Sequence, residues 1–264
     1  MIRQYLALTR GNFMVGVVYR FGFLFTIIGN IVYLGVAYYL WRSIYAGQEV
    51  LRGLTFNETY IYVALGSTVF ILMKTYADWY IGYEIREGIV AIYLTKPLDF
   101  QLYALFSSLG GMLMNLTAIT LPTVLILWLV FKVQITLGLG LLLFPISILL
   151  AFLISFCFDY FVGLMAFYTE STWGLSTTKE IIIMVLSGAL VPLQFFPQAV
   201  QGILLALPFQ TMYHTPLMMI TRPDQGWGVF GPMLLIQIAW VVALFILTRL
   251  FYNQAIKVLR ISGG

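Results

Sequence analysis

The chain has 264 residues, of which 61% are hydrophobic, 17% are aromatic and only 9% are charged. A soluble domain of this length needs more polar side chains to cover its core, so lipid must contact much of the surface. The single cysteine, Cys157, excludes an internal disulfide and a multi-cysteine metal site. The formal net charge is +4, but the basic residues are scattered in ones and twos, which favours a role in membrane orientation over nucleic acid binding.

The N-terminal residues predict a helix that lies at the membrane surface. One stripe of a helical wheel carries Ile2, Leu6, Thr9, Phe13 and Val17. Arg3 and Arg10 border this stripe, and their long side chains can reach lipid headgroups from there. We therefore expect an interfacial helix over residues 1–20, with a simple cytosolic tail as the alternative. No signal peptide is expected, because a basic start, a short apolar run and a cleavage site do not occur together.

Six segments are apolar enough to cross a bilayer, which requires about 20 residues per helix. The uncharged cores of these predicted spans are residues 21–41, 59–73, 100–131, 133–158, 181–221 and 225–248. The second span is short but can be extended toward Leu54. The fifth is interrupted by four prolines, Pro192, Pro197, Pro208 and Pro216. We expect one all-α membrane domain over residues 1–264, with six transmembrane helices.

The distribution of basic residues predicts the orientation of these spans. With six spans both termini share one side of the membrane. That side receives Arg3, Arg10, Arg20, Lys74, Arg86, Lys96, Lys179, Arg249, Lys257 and Arg260. The other side receives only Arg42, Arg52, Lys132 and Arg222. Because cytoplasmic loops are enriched in lysine and arginine, both termini are predicted to be cytoplasmic.

The sequence lacks the motifs of the common catalytic sites. It contains no GxxxxGK[ST] loop, no HExxH helix and no GxSxG elbow. The sole histidine, His214, cannot form a histidine cluster, and we expect it to be structural or solvated. We therefore predict no catalytic residue and no metal site on this chain.

A few polar residues lie within the predicted spans. Asp159 is the one carboxylate that falls inside a span, and an ionisable residue at membrane depth is a candidate functional site. The alternative is that it lies near the cytoplasmic end of span four, or pairs with a hydroxyl or an amide inside the bundle. Asn30 and Asn115 are expected to form hydrogen bonds between helices.

Residues 83–99, YEIREGIVAIYLTKPLD, form a charged stretch between the second and third spans. Read as a helix, it continues an apolar stripe of Ile81, Ile85, Ile89 and Ile92, with the charged residues on the opposite face. Pro97 ends the helix. An amphipathic cytoplasmic helix of this kind suits insertion into a cleft of a partner, although mixed charge is also usual for an ordinary solvated loop helix.

The fifth span is predicted to fold back before it crosses the membrane. Pro192 and Pro197 end the helix early, and residues 199–207 are too few to span. Broken backbone at membrane depth is tolerated only where protein or a water-filled cavity covers it. We therefore expect a re-entrant helical hairpin over residues 187–209, with a kinked span and an outer surface helix as the alternative.

Two stretches resemble ABC-type exporter permeases of the type 2 family, in the six-span branch whose members are close to this chain in length. That branch has a Glu-x-Arg/x-Gly pattern, then Leu-x-Arg/Lys-Pro, between spans two and three. Here this pattern is carried by Glu84, Arg86, Gly88, Leu94, Lys96 and Pro97. Its series of small residues, Pro-Leu, Phe-Pro and Leu-Pro-Phe late in span five is carried by Ser187, Gly188, Pro192, Leu193, Phe196, Pro197, Leu207, Pro208 and Phe209.

The resemblance implies a half-transporter in the bacterial cytoplasmic (inner) membrane. Two identical or homologous permease subunits would pair in the lipid and form the export pathway. Two separate cytosolic ABC ATPase subunits would bind below them. ATP and Mg would then bind the partner ATPase, so this chain would hold no cofactor and would not itself be an enzyme. Membrane lipid is the other expected partner, and no nucleic acid is expected.

The resemblance also assigns roles to particular residues. Residues 79–96 would be a coupling helix that docks into the ATPase. The docking residues would be Tyr83, Glu84, Arg86, Glu87, Gly88, Ile89, Tyr93, Lys96 and Pro97. The hairpin would close the outer end of the pathway, with gate residues Gly188, Pro192, Phe196, Pro197, Pro208 and Phe209.

Two other functions stay open at the level of sequence. An ion-coupled secondary transporter typically has a repeated half and intramembrane ionisable residues, whereas here only Asp159 is available and no repeat is visible. A non-transporting membrane assembly subunit would tolerate changes in the hairpin. The apolar, aromatic spans suit an amphipathic or lipid-like cargo, or a hydrophobic drug or peptide, and do not distinguish among them.

Overall fold

The computed structural model describes residues 2–18, 20–129 and 137–258, and most of them are helical. The α-helices are α1 (Ile2–Val18), α2 (Arg20–Ile44), α3 (Phe56–Met73), α4 (Ala77–Arg86), α5 (Val90–Leu94), α6 (Phe100–Asn115), α7 (Leu121–Leu129), α8 (Leu139–Leu164), α9 (Trp173–Leu186), α10 (Gln198–Ala206), α11 (Pro208–Met212), α12 (His214–Thr221) and α13 (Trp227–Ala255). A short antiparallel hairpin of β1 (Val50–Leu51) and β2 (Leu54–Thr55) joins α2 to α3. The predicted all-α class is confirmed.

Five helical stretches in the described part of the chain are long and apolar enough to cross a membrane. They are Gly22–Ile44, Phe56–Arg86, Phe100–Leu129, Leu139–Phe167 and Trp227–Val258. These stretches correspond to the first, second, third, fourth and sixth predicted spans. The fifth predicted span is instead divided among the short helices α9 to α12, since its prolines prevent one continuous helix. The predictions for Lys132 and Arg260 lie outside the described residues.

Helix α8 is central to the bundle and packs against α4, α12 and α13. Two glycines permit close approach on opposite ends of this helix. A Cβ added at Gly140 would lie 2.2 Å from the carbonyl oxygen of Met219 in α12. A Cβ added at Gly163 would lie 2.7 Å from Cβ of Ile81 in α4. Helix α8 therefore packs against both α12, which belongs to the interrupted fifth segment, and α4, which leads into the charged stretch.

Helix α1 lies along α6. Tyr5 and Thr9 are buried in this contact, and the Thr9 hydroxyl donates to the Phe106 carbonyl over 2.8 Å. Gly110 allows the approach, because a Cβ there would lie 2.5 Å from the Thr9 carbonyl oxygen. Ile2, from the predicted apolar stripe, is 73% exposed. The buried face of α1 therefore shares Thr9 with the predicted stripe, whereas Ile2, Leu6 and Val17 of that stripe are exposed and suit contact with lipid.

Asn115 joins α6 to the end of α3, as predicted. Its side-chain amide donates to the carbonyl oxygens of Ile71 and Lys74 over 3.1 and 2.9 Å. The Ile71 carbonyl also accepts from the Lys74 N–H at the end of α3, so the amide adds a second hydrogen bond there and ties α6 to this terminus. Asn30 is also buried, but within the described residues its amide nitrogen has no hydrogen-bond partner.

Candidate functional site

Residues 79–96, here called the docking segment, form two short helices joined by a tight turn. Helix α4 ends at Arg86 and helix α5 begins at Val90. Between them Gly88 has a φ of +72°, in the left-handed region that residues with a Cβ rarely adopt. This glycine ends one helix and redirects the chain into the next. The single helix expected over the docking segment is therefore interrupted.

A hydrogen-bonded cluster fixes the buried face of the docking segment to its neighbours. The hydroxyls of Tyr93 and Tyr103 lie 3.1 and 2.9 Å from Oε1 of Glu84, and 2.6 Å from each other. Burial raises the pKa of Tyr93, so this hydroxyl stays protonated and able to donate. Because the three residues belong to α4, α5 and α6, the cluster joins three helices. Glu84 and Tyr93, both predicted to dock a partner, are therefore engaged inside this chain.

The solvent-exposed face of the docking segment carries most of the other predicted docking residues. The exposed ones are Tyr83, Arg86, Glu87, Gly88, Lys96 and Pro97. Ile89 is partly buried. Ile92 was expected on the buried stripe but is 53% exposed, whereas Val90 is completely buried. The turn at Gly88 accounts for this correction, because it ends the periodicity that a continuous helix would have kept.

A row of exposed aromatic side chains runs along α4. The sequence analysis did not identify this row. Tyr76, Trp79, Tyr80 and Tyr83 are each about half exposed or more, from 49% to 68%. Trp79 and Tyr80 lie four and three residues before Tyr83, so these three side chains share one face of α4, and Tyr76 directly precedes the helix. This spacing is visible in the sequence, but the apolar neighbours of these residues hid it. The row continues directly into the exposed part of the docking segment.

Asp159 lies in a buried ionic cluster. Lys179, in the middle of α9, bonds to Oδ1 of Asp159 and lies 2.7 Å from Oδ2 of Asp78. Asp78 and Asp159 are only 3% and 7% exposed. The three residues come from α4, α8 and α9, so one ammonium group joins three helices. One alternative for Asp159 was a hydroxyl or amide partner inside the bundle, but its partner is a lysine. Neither Asp78 nor Lys179 was identified from the sequence as a partner of Asp159.

A cavity of about 220 Å³ adjoins this cluster and is here called the ionic cavity. Its charged lining consists of Lys74, Asp78, Asp159, Lys179 and Glu180. Lys74 pairs with Glu180 over 2.9 Å, between the end of α3 and the middle of α9. Residues of the broken fifth segment, Met212 and Tyr213 among them, complete the wall. The cavity therefore lies where the second, fourth and fifth segments meet.

Gly188 marks the end of the regular part of the fifth segment. Its φ is +80°, and a Cβ there would lie 3.0 Å from the Tyr62 hydroxyl. Both the backbone conformation and the space therefore favour glycine. The Tyr62 hydroxyl lies 3.1 Å from Nδ1 of His214, which is 4% exposed. His214 is thus a buried structural residue rather than a solvated one.

Prolines begin the successive pieces that follow. Pro192 precedes a single 3₁₀ turn, Pro197 precedes α10, and Pro208 is the first residue of α11. Pro192 and Pro208 are buried, Pro197 is exposed, and Phe196 and Phe209 are partly buried. The predicted gate residues therefore do not form one cluster but are spread along a folded-back chain.

Ring contacts trace the first arm of this folded-back chain. The ring of Phe195 lies 5.0 Å from that of Trp41, near the end of α2 that precedes the β-hairpin. The ring of Phe209 stacks on Phe158, 5.3 Å away, directly before Asp159 in α8. The arm formed by α10 and α11 therefore runs from the end of the bundle that carries the β-hairpin to the level of Asp159.

Helix α12 forms the second arm and returns to the first side. The ring of Tyr213 lies 6.2 Å from Phe70, near the α4 end of α3. Beyond the helix, Nε of Arg222 lies 3.2 Å from Oε1 of Glu58, in the first turn of α3. The returning arm therefore extends past residue 209, where the predicted hairpin ended.

Comparison with known proteins identifies the family. Residues 31–263 match the family described as ABC-2 family transporter protein. A search among curated proteins found no match. The matched region covers most of the chain, including the docking segment, the ionic cavity and the broken fifth segment. The chain is therefore an integral membrane protein that belongs to the ABC-2 transporter family.

Proposed function

We propose that the chain is the membrane-spanning permease subunit of an ATP-driven exporter. Family membership supports the permease role and implies association with ABC ATPase subunits. The sequence has no phosphate-binding loop of its own, so a partner chain would bind ATP and Mg. Two permease chains would pair in the bacterial inner membrane and form the pathway between them. Two ATPase subunits would drive it from the cytoplasm.

The observation that carries this proposal is the exposed turn at Glu87 and Gly88. The turn projects between α4 and α5, and both helices are fixed to α6 by the cluster around Glu84. A rigid base below an exposed tip suits a knob that enters a cleft. Since Lys179 ties α4 to α8 and α9, a push on the turn would move these helices together.

We further propose that the broken fifth segment crosses the membrane, which gives six crossings with both termini in the cytoplasm. Four ion pairs support this topology, because each joins residues that the sequence puts on one side. They are Glu58 with Arg222 on the outer side, and Lys74 with Glu180, Asp78 with Lys179 and Asp99 with Arg249 on the inner side. The segment between Glu180 and Arg222 thus begins at one end of α3 and finishes at the other.

The folded-back arms α10 and α12 would close the outer end of the pathway. Their support is the path of the chain, which enters from the β-hairpin side and reaches Tyr213 beside the ionic cavity. In this arrangement a shift of α9 would be transmitted through the wall of the ionic cavity to the arms that close the outer end of the pathway. Gly188, in its left-handed conformation next to Tyr62, would be the pivot between α9 and the arms.

The docking proposal is tested by purifying the tagged chain from its host in mild detergent and identifying the chains that accompany it. We expect an ATPase with a phosphate-binding loop, and ATP hydrolysis in the purified complex. The variant Glu87→Lys reverses an exposed charge at the tip and should lower the amount of ATPase recovered about tenfold or more.

The matched control is Glu49→Lys, which reverses an exposed charge beside the β-hairpin, on the predicted outer side. It should leave ATPase recovery unchanged. If no ATPase accompanies the wild-type chain, the exporter proposal is wrong and an ion-coupled transporter becomes the better explanation. If Glu87→Lys binds the ATPase as well as the wild type does, docking through the turn is wrong.

A further inference from the structure

The ionic cavity contains a buried hydroxyl group without a partner. Ser176, in α9, is 4% exposed and lines the cavity. Within the described residues its Oγ has no hydrogen-bond partner. Leaving a buried polar group unpaired costs about 1–3 kcal/mol, so such a group in a native cavity calls for an explanation. A ligand that hydrogen-bonds to the hydroxyl supplies one.

The charges in the cavity wall favour a cationic ligand. Three carboxylates, those of Asp78, Asp159 and Glu180, face two ammonium groups, those of Lys74 and Lys179. One negative charge is therefore in excess. Both lysines are already paired with carboxylates, so neither is free to bind an anion. Each carboxylate has about four acceptor positions, more than the two lysines can fill.

Aromatic side chains form the mouth of the cavity. Tyr76, Trp79 and Trp173 line it and are 50%, 49% and 64% exposed. Aromatic faces attract cations and also pack against alkyl chains. The volume of about 220 Å³ lies below the roughly 300–1,000 Å³ of pockets that enclose a drug-sized molecule. The cavity therefore has room for a small headgroup, while an attached chain would lie outside along the tryptophans.

We propose that the ionic cavity binds the primary ammonium group of an amphipathic molecule. Its N–H groups would donate to Oγ of Ser176 and to the carboxylates of Asp159 and Glu180, and its apolar part would lie against Trp79 and Trp173. A quaternary ammonium group has no N–H and would leave the serine unpaired. The same chemistry is offered by an amine-bearing lipid headgroup and by a soluble amphipathic amine.

The test uses thiol labelling of the purified permease in lipid nanodiscs, without any ATPase. Cys157 is the only cysteine and is buried, so Cys157→Ala gives a background without thiols. Thr177→Cys then puts a thiol on the cavity wall. Thr178→Cys, on the exposed face of the same helix, is the matched control. Three methanethiosulfonate reagents of similar size carry a primary ammonium, a trimethylammonium or a sulfonate group.

At each cysteine we compare the labelling rate of the primary ammonium reagent with the rates of the other two reagents. We expect this ratio to be about tenfold larger at position 177 than at position 178, equivalent to about 1.4 kcal/mol. Adding Ser176→Ala should remove most of the preference over trimethylammonium. Ser108→Ala, a buried serine in α6 bonded to the Ala104 carbonyl, should not. Equal selectivity at positions 177 and 178, or a preference for the sulfonate at 177, would overturn the proposal.

Competition identifies the source of the ligand. In phosphatidylcholine nanodiscs, hexylamine should slow labelling at position 177, whereas hexyltrimethylammonium should not. If added phosphatidylethanolamine also slows it, the ligand is a lipid headgroup, and if only hexylamine does, it is a soluble amine. If neither slows labelling, the proposal is wrong. Since no ATPase takes part, this result does not depend on whether the exporter proposal is correct.

Discussion

The ionic cavity and the docking turn use charged residues in opposite ways. In the cavity, Asp78 and Asp159 are buried and both pair with Lys179. In the docking segment, Glu87, at the turn, and Lys96, just after α5, are exposed and take part in no ion pair with another described residue. Buried charges that pair across helices hold those helices in register, whereas exposed charges stay available for a partner protein. In a chain with only 9% charged residues, this division separates charges that join helices from those that a partner protein can contact.

The largest difference between the two regions should follow from removing one lysine in each. Lys179→Met leaves two buried carboxylates without a cation, and we expect it to destabilise the fold by about 3–5 kcal/mol. Lys96→Met, in the docking segment, should change stability by less than about 0.5 kcal/mol. Thermal unfolding in nanodiscs can be followed by the reactivity of the buried Cys157 thiol. Similar unfolding temperatures for the two variants would show that the ionic cluster is not structural.

A smaller difference is expected between two glutamates three positions apart. Glu84→Ala removes the common acceptor of the Tyr93 and Tyr103 hydroxyls, and should cost about 1–3 kcal/mol. Glu87→Ala removes an exposed carboxylate and should leave the unfolding temperature within experimental error, yet lower ATPase recovery. The same thermal assay and the pull-down measure both effects. If Glu87→Ala were the more destabilising change, the division into fixed and free charges would be wrong.

The smallest effect concerns the backbone of the turn. Gly88→Ala introduces a Cβ into a left-handed conformation, which should cost about 1 kcal/mol. Apart from the adjacent residues of the chain, no described atom lies within 4 Å of that Cβ, so backbone strain is the expected cause. Gly202→Ala, in α10, also meets open space but has ordinary helical geometry and should be neutral or slightly stabilising. An unchanged unfolding temperature for Gly88→Ala would mean that the turn relaxes freely.

The sequence by itself determined the class of protein, the positions of five apolar helices long enough to cross a membrane and the place where regular structure breaks. Those features depend on local composition and periodicity. An apolar stretch of sufficient length must be helical in lipid, because its backbone has no other hydrogen-bond partners. A proline in the interior of a helix removes a helical hydrogen bond, so the interruption near Pro192 and Pro197 could be predicted directly from the sequence. The two motifs that resembled ABC-type permeases agree with the family that matches the chain.

Only the tertiary structure decided which polar residues face inward. Asp78 and Glu84 lie in the same short helix as Tyr83 and Arg86, and nothing local distinguishes them. Asp78 becomes buried because Lys179 approaches from α9, and Glu84 because Tyr103 approaches from α6. The unpaired hydroxyl of Ser176 likewise depends on helices distant in sequence. Contacts across such separations follow from how the helices pack, and the spacing of residues along one helix does not specify them.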